Sequence, residues 1–232
     1  MNPKTYVFFG IVGAGKGTQI ELLNKLLAER EPGRKIVYAY PGAEYRAITN
    51  SGSYTGSLVR AKLERGELQP NFLTVTVFSS ILVHEMTEDC HVIADGYPRT
   101  LEQVDAFLAA MEFYGRSNVE IVYIEVSKEE VIRRMKLRGR SDDTDEGIER
   151  RFFEYETNVV PSMKELEAKG CKLYTINGEQ SVEAVQPASG RADSGALVDD
   201  LGVGESLLPQ PEPHAVLESV GSATQDVLDL RP

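Results

Sequence analysis

A glycine-rich loop at residues 10–18, with the sequence GIVGAGKGT, constrains this chain more than any other segment. The apolar run of residues 6–9 precedes it and a helical pattern follows, so the loop joins a strand to a helix N-terminus. Glycines allow positive φ and close backbone approach, so successive N–H groups can point at phosphate oxygens beside the positive end of the helix. Lys16 adds a mobile charge for the outer phosphates. The segment therefore predicts binding of a nucleoside triphosphate.

The composition predicts one globular α/β domain in a reducing compartment. The 232 residues are 41% apolar, which suffices for an ordinary core with small inserted subdomains. The net charge of −11 argues against a general nucleic-acid or anionic-membrane binder. Cys90 and Cys171 are far apart in sequence, so we expect two buried free thiols and a cytoplasmic location. The three histidines show no metal-ligand spacing. The N-terminal apolar stretch is too short for a signal or membrane segment.

Apolar runs alternate with helical patterns along most of the chain. This alternation predicts a parallel sheet with crossover helices, whose ligands bind beyond the carboxyl ends of the strands. The predicted strands are 5–12, 35–40, 91–94, 119–126 and 172–176. The predicted helices are 16–29, 72–88, 101–113, 128–138 and 144–169.

The C-terminal segment 186–232 differs in composition from the rest. It has no Phe, Tyr, Trp or Lys, and it carries eight acids against two arginines. Such a segment buries too little apolar surface to offset its ordering entropy, so we expect most of it to be disordered. A closing helix at residues 215–230 is the alternative for part of this segment, because valines and leucines recur there at roughly helical spacing, although Gly221 interrupts the pattern.

A second motif follows the predicted strand 91–94. Asp95 places a carboxylate at the strand end and Arg99 lies on the next turn, so both can face the phosphate loop. A structural interpretation is a turn at Gly96 and Pro98 with Thr100 capping the next helix. That interpretation does not account for Arg99.

The loop and this second motif together resemble the adenylate kinases and related nucleoside monophosphate kinases. The loop has Gly17 after Lys16, where the strict pattern has Ser or Thr, and its hydroxyl follows at Thr18. The resemblance implies a P-loop three-layer fold with a five-stranded parallel sheet flanked by helices, a small helical acceptor-binding subdomain and a short lid. It implies ATP contacts at Gly13, Ala14, Gly15, Lys16, Gly17, Thr18 and Arg134. In the family's pattern, Asp95 holds Mg²⁺ through water, Gly96 and Arg99 contact the acceptor phosphate, and Gln103 contacts the acceptor adenine.

An arginine-rich segment is similar to the shortened lid of these kinases, here about residues 134–144. Exposed helices often carry arginines paired with acids, and Arg150 with Glu146 or Glu154 fits that simpler interpretation. The resemblance implies that Arg138, Arg140 and Arg151 close over the transferring phosphoryl group and that Arg134 stacks on the donor adenine. Asp142 and Asp143 lie within the same loop.

The segment 41–71 resembles the acceptor-binding subdomain, in which Arg46 matches the arginine for the acceptor phosphate. The family usually has Ser-Thr-Gly-Asp where this chain has Tyr40-Pro41-Gly42-Ala43, and it commonly has Val where this chain has Gln69. These departures leave UMP, CMP or dTMP open as acceptors, whereas Gln103 favours adenine.

The expected activity is reversible transfer of the terminal phosphoryl group from Mg-ATP to AMP by residues 1–185. We expect a monomer, with Mg²⁺ as the cofactor and no nucleic-acid or membrane partner. A non-catalytic P-loop nucleotide-binding module remains the alternative from another class.

Overall fold

The sheet of this protein is parallel throughout, with strand order β2-β3-β1-β4-β5. The computed structural model describes residues 2–139 and 143–179. The strands are β1 (Thr5–Phe9), β2 (Ile36–Ala39), β3 (His91–Asp95), β4 (Val119–Glu125) and β5 (Lys172–Asn177). The five-stranded parallel α/β fold is thus confirmed.

Helices cover both faces of the sheet and produce three layers. They are α1 (Lys16–Arg30), α2 (Pro41–Asn50), α3 (Tyr54–Glu64), α4 (Asn71–Glu85), α5 (Leu101–Phe113), α6 (Lys128–Arg138), α7 (Asp145–Glu154) and α8 (Val160–Ala168). Side chains of β1 alternate between the two faces, with Tyr6 and Phe8 toward α1, α6 and α7. Val7 and Phe9 face α4, α5 and α8. Because β1 is buried on both faces, its sequence is a continuous apolar run.

Most predicted elements agree with the structure to within one residue at each end, and three differ by more. Strand β1 ends at Phe9 rather than at residue 12, because Gly10 takes a φ of 144° and begins the loop. Helix α4 ends at Glu85 rather than at residue 88, because the next residue, Met86, has an extended backbone. The predicted helix at 144–169 is interrupted by a π turn at Tyr155–Val159.

Pro161 provides a physical reason for this π turn. A proline has no backbone N–H and its ring clashes with the carbonyl four residues earlier, so an α-helical turn cannot pass through it unchanged. The wider π turn directly before α8 relieves that conflict and keeps the helical path continuous.

Helices α2 and α3 pack together and on the start of α4, in the segment that resembles an acceptor-binding subdomain and is called the acceptor side below. Their small core contains Tyr45, Val59 and Val77, separate from the two larger cores beside the sheet. A Cβ at Gly56 would lie 2.4 Å from the carbonyl oxygen of Ile48, so the glycine permits close approach of α2 and α3. Sequence periodicity did not separate these two helices.

Three further features bear on the composition-based predictions. No helix within residues 2–139 and 143–179 is long and apolar enough to cross a membrane. Both cysteines are free thiols. Cys90 is buried as predicted, whereas Cys171, directly before β5, is only half-buried. The tail 186–232, including the segment 215–230, lies outside the described residues.

His91 is fully buried at the start of β3, at the sheet edge opposite the glycine loop. The Lys4 backbone N–H donates to its Nδ1 at 3.1 Å, and its Nε2 lies 3.4 Å from Glu31 Oε1. Burial lowers the pKa of His91, Arg34 and Arg116 add to this shift, and Glu31 opposes it. The folded protein therefore holds His91 in its neutral form.

We predict that His91 makes the fold sensitive to mild acid. A folded pKa below the unfolded value gives stability that is present above about pH 6.5 and is lost as the pH falls. The free energy of unfolding should fall from pH 7 to 5.5 more steeply for the wild type than for His91→Asn, by up to about 1.4 kcal/mol per pH unit. Urea titrations at several pH values test this, and parallel pH dependences would contradict it.

Candidate functional site

The strand register brings the sequence motifs to one edge of the sheet. Strand β1 lies between β3 and β4, with Phe8 paired to Asp95 and Phe9 paired to Tyr123. The glycine loop leaves the end of β1 directly beside the end of β3. Both motifs therefore meet at the carboxyl edge, where open α/β sheets bind ligands.

The glycine loop has the backbone shape that phosphate binding requires. Gly10, Gly13 and Gly15 have φ angles of 144°, 96° and 99°. A Cβ at Gly10 would lie 2.9 Å from the Ile124 carbonyl oxygen, so neither the angle nor the space there suits a side chain. Gly15 caps α1 in the left-handed conformation, and buried Ala14 donates its N–H to the Ile11 carbonyl at 3.0 Å. The first turn of α1 carries no acid, which leaves its positive end free for an anion.

Lys16 lies across this loop. Its Nζ donates to the carbonyl oxygens of Gly10 and Ile11 at 2.7 and 3.3 Å. Burial lowers the pKa of Lys16 to about 8, with Asp95 opposing the shift and Arg99 and Arg138 adding to it. Charged groups from two other segments, residues 95–99 and the end of α6, thus lie within electrostatic reach of the Lys16 ammonium group.

Gly17 and Thr18 differ from the other loop residues. A Cβ at Gly17 would meet nothing within 4 Å, so the departure from the usual Ser or Thr there has no steric cause in the described structure. Thr18 is exposed on the first turn of α1.

Asp95 is a buried carboxylate, 6% exposed, at the end of β3. The Tyr38 hydroxyl donates to its Oδ2 at 2.7 Å. Burial and this carboxylate raise the pKa of Tyr38 above its usual range, so the phenol remains a donor. Sequence reasoning missed Tyr38, and the one available signal was its spacing of two from Tyr40 at the end of β2.

Arg99 folds back over the turn that precedes it. Its Nε donates to the Gly96 carbonyl at 2.7 Å. Gly96 has a φ of 66°, and a Cβ there would lie 2.6 Å from Arg99 Nη2. Thr100 caps α5 by accepting from the Gln103 N–H, as the turn motif predicted.

Gln103 is 1% exposed, and its amide is bonded on both sides. Its Oε1 accepts the Arg99 backbone N–H at 2.8 Å, and its Nε2 donates to Asn71 Oδ1 at 2.7 Å. These two bonds leave one further N–H and one lone pair of the amide. The sequence did not indicate a role for Asn71, because its hydrogen-bond partner Gln103 lies 32 residues away along the chain.

Tyr40, Pro41 and Gln69, which depart from the family pattern, line the same cavity as Arg46. Its Nη1 donates to the Tyr40 hydroxyl at 3.2 Å, and its guanidinium carbon lies 5.2 Å from the centre of the Tyr40 ring. Pro41 is buried in the first turn of α2. Gln69 is also buried, and its Nε2 donates to the Val59 carbonyl at 3.2 Å, while its Oε1 has no partner among the described residues.

Two of the lid arginines share one carboxylate. Arg138 Nη2 and Arg151 Nη1 lie 2.7 and 2.6 Å from Asp143 Oδ1, and the Asp143 side chain is 2% exposed. Arg140 and Asp142 lie outside the described residues, so the position of Arg140 stays a prediction.

Arg134 and Arg150 have different partners from Arg138 and Arg151. Arg134 reaches the glycine loop, donating to the carbonyls of Ala14 and Gly178 at 3.3 and 2.8 Å. Arg150 forms an exposed pair with Glu154 at 3.4 Å, which fits its simpler interpretation.

One cavity of about 640 Å³ connects the loop with the acceptor-side segment. Its wall includes Gly10, Lys16, Arg46, Gly96, Arg99, Gln103, Arg151 and Tyr155 from the π turn. Asp95, Arg134 and Arg138 are not part of this wall. Gly66 also lines the cavity, and a Cβ there would lie 2.8 Å from the carbonyl oxygen of Gly147, so the acceptor side comes close to the backbone of α7.

A phosphate-binding loop on a parallel sheet, facing a second set of cations across one cavity, defines a P-loop nucleotide-binding protein of the phosphotransferase type. The sequence profile of the adenylate kinase family matches residues 8–171. The chain therefore belongs to the adenylate kinase family, and it is a nucleoside monophosphate kinase.

Curated relatives support the same assignment. The adenylate kinase of Thermus thermophilus is 34% identical over 168 residues, covering 71% of this chain and 83% of that relative. The adenylate kinase of Corynebacterium glutamicum strain R is 30% identical over 179 residues, covering 77% and 93%. That of Dehalococcoides mccartyi is 28% identical over 209 residues, with the same coverage.

We predict opposite stability effects for two alanine substitutions in the glycine loop. Gly15→Ala should lower the free energy of unfolding by about 1–2 kcal/mol, because an L-residue resists a φ of 99°. Gly17→Ala should raise it by up to about 1 kcal/mol, because alanine favours the helix and meets no neighbour. Denaturant unfolding of the two ligand-free variants measures this, and equal effects would contradict the loop geometry.

We predict that Lys16 takes up a proton when a nucleoside triphosphate binds. In the free protein a pKa of about 8 leaves Lys16 mostly neutral at pH 8.5, and triphosphate charge should raise that pKa. Calorimetry of Mg-ATP binding in buffers of different ionisation enthalpy should therefore show uptake of most of one proton at pH 8.5 and little at pH 7. Affinity should fall as the pH rises above 8.

Lys16→Arg is the matched control, since arginine stays charged at both pH values. Uptake that is equal at pH 7 and pH 8.5, or that persists in Lys16→Arg, would contradict this assignment of the proton.

Proposed function

We propose that this chain catalyses reversible transfer of the terminal phosphoryl group from Mg-ATP to AMP, giving two ADP. The observation that carries the proposal is the shared cavity, whose wall holds Lys16 of the phosphate loop together with Arg46, Arg99 and Arg151. A site for a single nucleotide needs only one set of phosphate-binding cations. Two facing groups fit a donor and an acceptor that meet at their phosphates.

On the donor side, we assign residues Gly13 to Thr18 to the triphosphate and Arg134 to the donor base. Contacts of Arg134 with Ala14 and Gly178 support this assignment, because they hold its guanidinium group beside the phosphate loop. A planar guanidinium group can stack on a base.

The residues present also fit a magnesium ion. Such an ion in phosphotransfer sites keeps several waters and takes one or two carboxylates plus substrate phosphates. Asp95 offers a buried carboxylate at the sheet edge for this purpose, through water. Held there through water, Mg²⁺ would neutralise charge on the donor phosphates.

On the acceptor side, we assign Arg46, Gly96 and Arg99 to the AMP phosphate and Gln103 to adenine. Contacts of Gln103 with Arg99 and Asn71 support its role, because they fix the amide at the cavity wall. The free oxygen of Gln69 and the buried Pro41 favour an alternative, a kinase for UMP, CMP or dTMP.

The chemistry needs no general base, because the acceptor phosphate is already anionic. Its rate depends on alignment and on neutralising the transferred phosphoryl group. We assign this role to Lys16, Arg99, Arg138, Arg140 and Arg151. Asp143 shares its carboxylate between Arg138 and Arg151, so phosphate oxygens must replace or share these ion pairs as the lid closes. Closure would also exclude water and suppress hydrolysis.

A domain boundary near residue 185, a monomeric state, a cytoplasmic location and the absence of nucleic-acid or membrane partners remain predictions from sequence. The two free thiols are compatible with a reducing compartment.

The test is ADP formation from Mg-ATP with AMP, UMP, CMP, GMP and dTMP offered separately. We expect strong preference for AMP and no activity in Lys16→Ala. Preference for an acceptor with another base would leave the proposed mechanism in place and change the acceptor specificity. Nucleotide binding without turnover of any acceptor would support the non-catalytic module.

Arg99→Ala should lower kcat by about 10³-fold, as for other arginines that neutralise a transferring phosphoryl group. Arg133→Ala is the matched control, because Arg133 is an exposed arginine on α6 that pairs with Glu130. Near-native turnover in Arg99→Ala would contradict the role of Arg99.

A further inference from the structure

Tyr38 in β2 and Tyr40 directly after this strand lie between Asp95 and Arg46. Tyr38 and Tyr40 are two residues apart, so their side chains share one face of the extended chain. Their ring centroids are 5.6 Å apart with an interplanar angle of 28°, which is a stacked arrangement. Each hydroxyl group holds a different charged residue.

Tyr38 connects the stack to the sheet edge. Strand β2 pairs with β3, with Tyr38 beside Ile93 and Ala39 beside Ala94. The Tyr38 hydroxyl reaches along this edge and donates to Asp95 Oδ2 at 2.7 Å. A hydrogen bond to a carboxylate is stronger than a neutral one and restricts rotation of the carboxylate. The other lone pairs of Asp95 remain for metal-bound water.

Tyr40 connects the stack to the acceptor side. Its hydroxyl accepts from Arg46 Nη1 at 3.2 Å, and its ring lies under the guanidinium group at 5.2 Å. Gly42 makes room for the ring, since a Cβ there would lie 2.4 Å from a Tyr40 ring carbon. Arg46 is otherwise an exposed side chain with large rotamer freedom, so these two contacts restrict it.

We propose that Tyr38 and Tyr40 are positioning residues, Tyr38 for the Asp95 carboxylate and Tyr40 for the Arg46 guanidinium group. The inference rests on the proposed function, which assigns Asp95 to the metal and Arg46 to the acceptor phosphate. A side chain held in its working geometry before the ligand arrives loses less freedom on binding. The stacked rings tie the two positions together across the end of β2.

Two phenylalanine variants separate these roles and serve as controls for each other. Tyr38→Phe and Tyr40→Phe each remove one hydroxyl group and keep the ring, so the stack and the cation–π contact remain. Tyr38 is 42% exposed and Tyr40 is half-buried, so neither change leaves a cavity in the core.

The first measurement is binding of Mn²⁺, as a spectroscopic substitute for Mg²⁺, to the complex of the protein with ATP, followed by electron paramagnetic resonance. Tyr38→Phe should weaken Mn²⁺ binding by about 3–10-fold, the scale of one hydrogen bond to a charged group. Tyr40→Phe should leave it within about twofold.

The second measurement is AMP binding by calorimetry, with KM and kcat for AMP determined in parallel. Tyr40→Phe should weaken AMP binding and raise its KM by about 3–10-fold with a smaller change in kcat. Tyr38→Phe should leave AMP binding within about twofold.

This crossed pattern supports the proposal. Equal shifts of both measurements in both variants would reduce the tyrosines to a structural role and overturn it, as would no shift in either variant. If wild type binds Mn²⁺ with ATP but phosphorylates another acceptor than AMP, the proposed function fails, while the Mn²⁺ comparison still decides the role of Tyr38.

Discussion

The pairing of β1 with both β3 and β4 is the constraint on which the rest of this structure depends. It places the glycine loop, Asp95 and the end of β4 at one edge, although they come from three separate parts of the chain between residues 10 and 125. That pairing is stable only because β1 is buried on both faces, which requires the continuous apolar run at its core. Sheet topology therefore assembles the site, and the loops supply its chemistry.

Local sequence determined the parts of the fold that local physics controls. Alternation of apolar runs predicted the five parallel strands, and the glycines of the loop predicted its positive φ angles. The π turn was missed because its cause, Pro161, lies after it and periodicity averages across it. Periodicity did not assign helices α2 and α3, which only the family resemblance implied as a helical subdomain, because their short apolar faces pack on a small separate core rather than on the sheet.

Side-chain partners were much harder to predict than motif positions. The contacts of Tyr38 with Asp95 and of Asn71 with Gln103 join residues 57 and 32 positions apart, so no local pattern encodes them. Cations gathered at one site without counter-ions would repel one another. The structure instead places Asp143 between Arg138 and Arg151, and Asp95 within reach of Lys16. The acids of the same motifs compensate the charge in advance, which lets the cations approach one another without a ligand.

The backbone contact between Gly66 and Gly147 has a mechanical consequence for the cavity. With no side chain on Gly66, its backbone lies close to the Gly147 carbonyl oxygen of α7. A single methyl group on Gly66 would clash with that oxygen, and its φ of 69° already disfavours any side chain there. The closest approach of these two segments therefore depends on the side chain that Gly66 lacks, whatever the charges in the cavity.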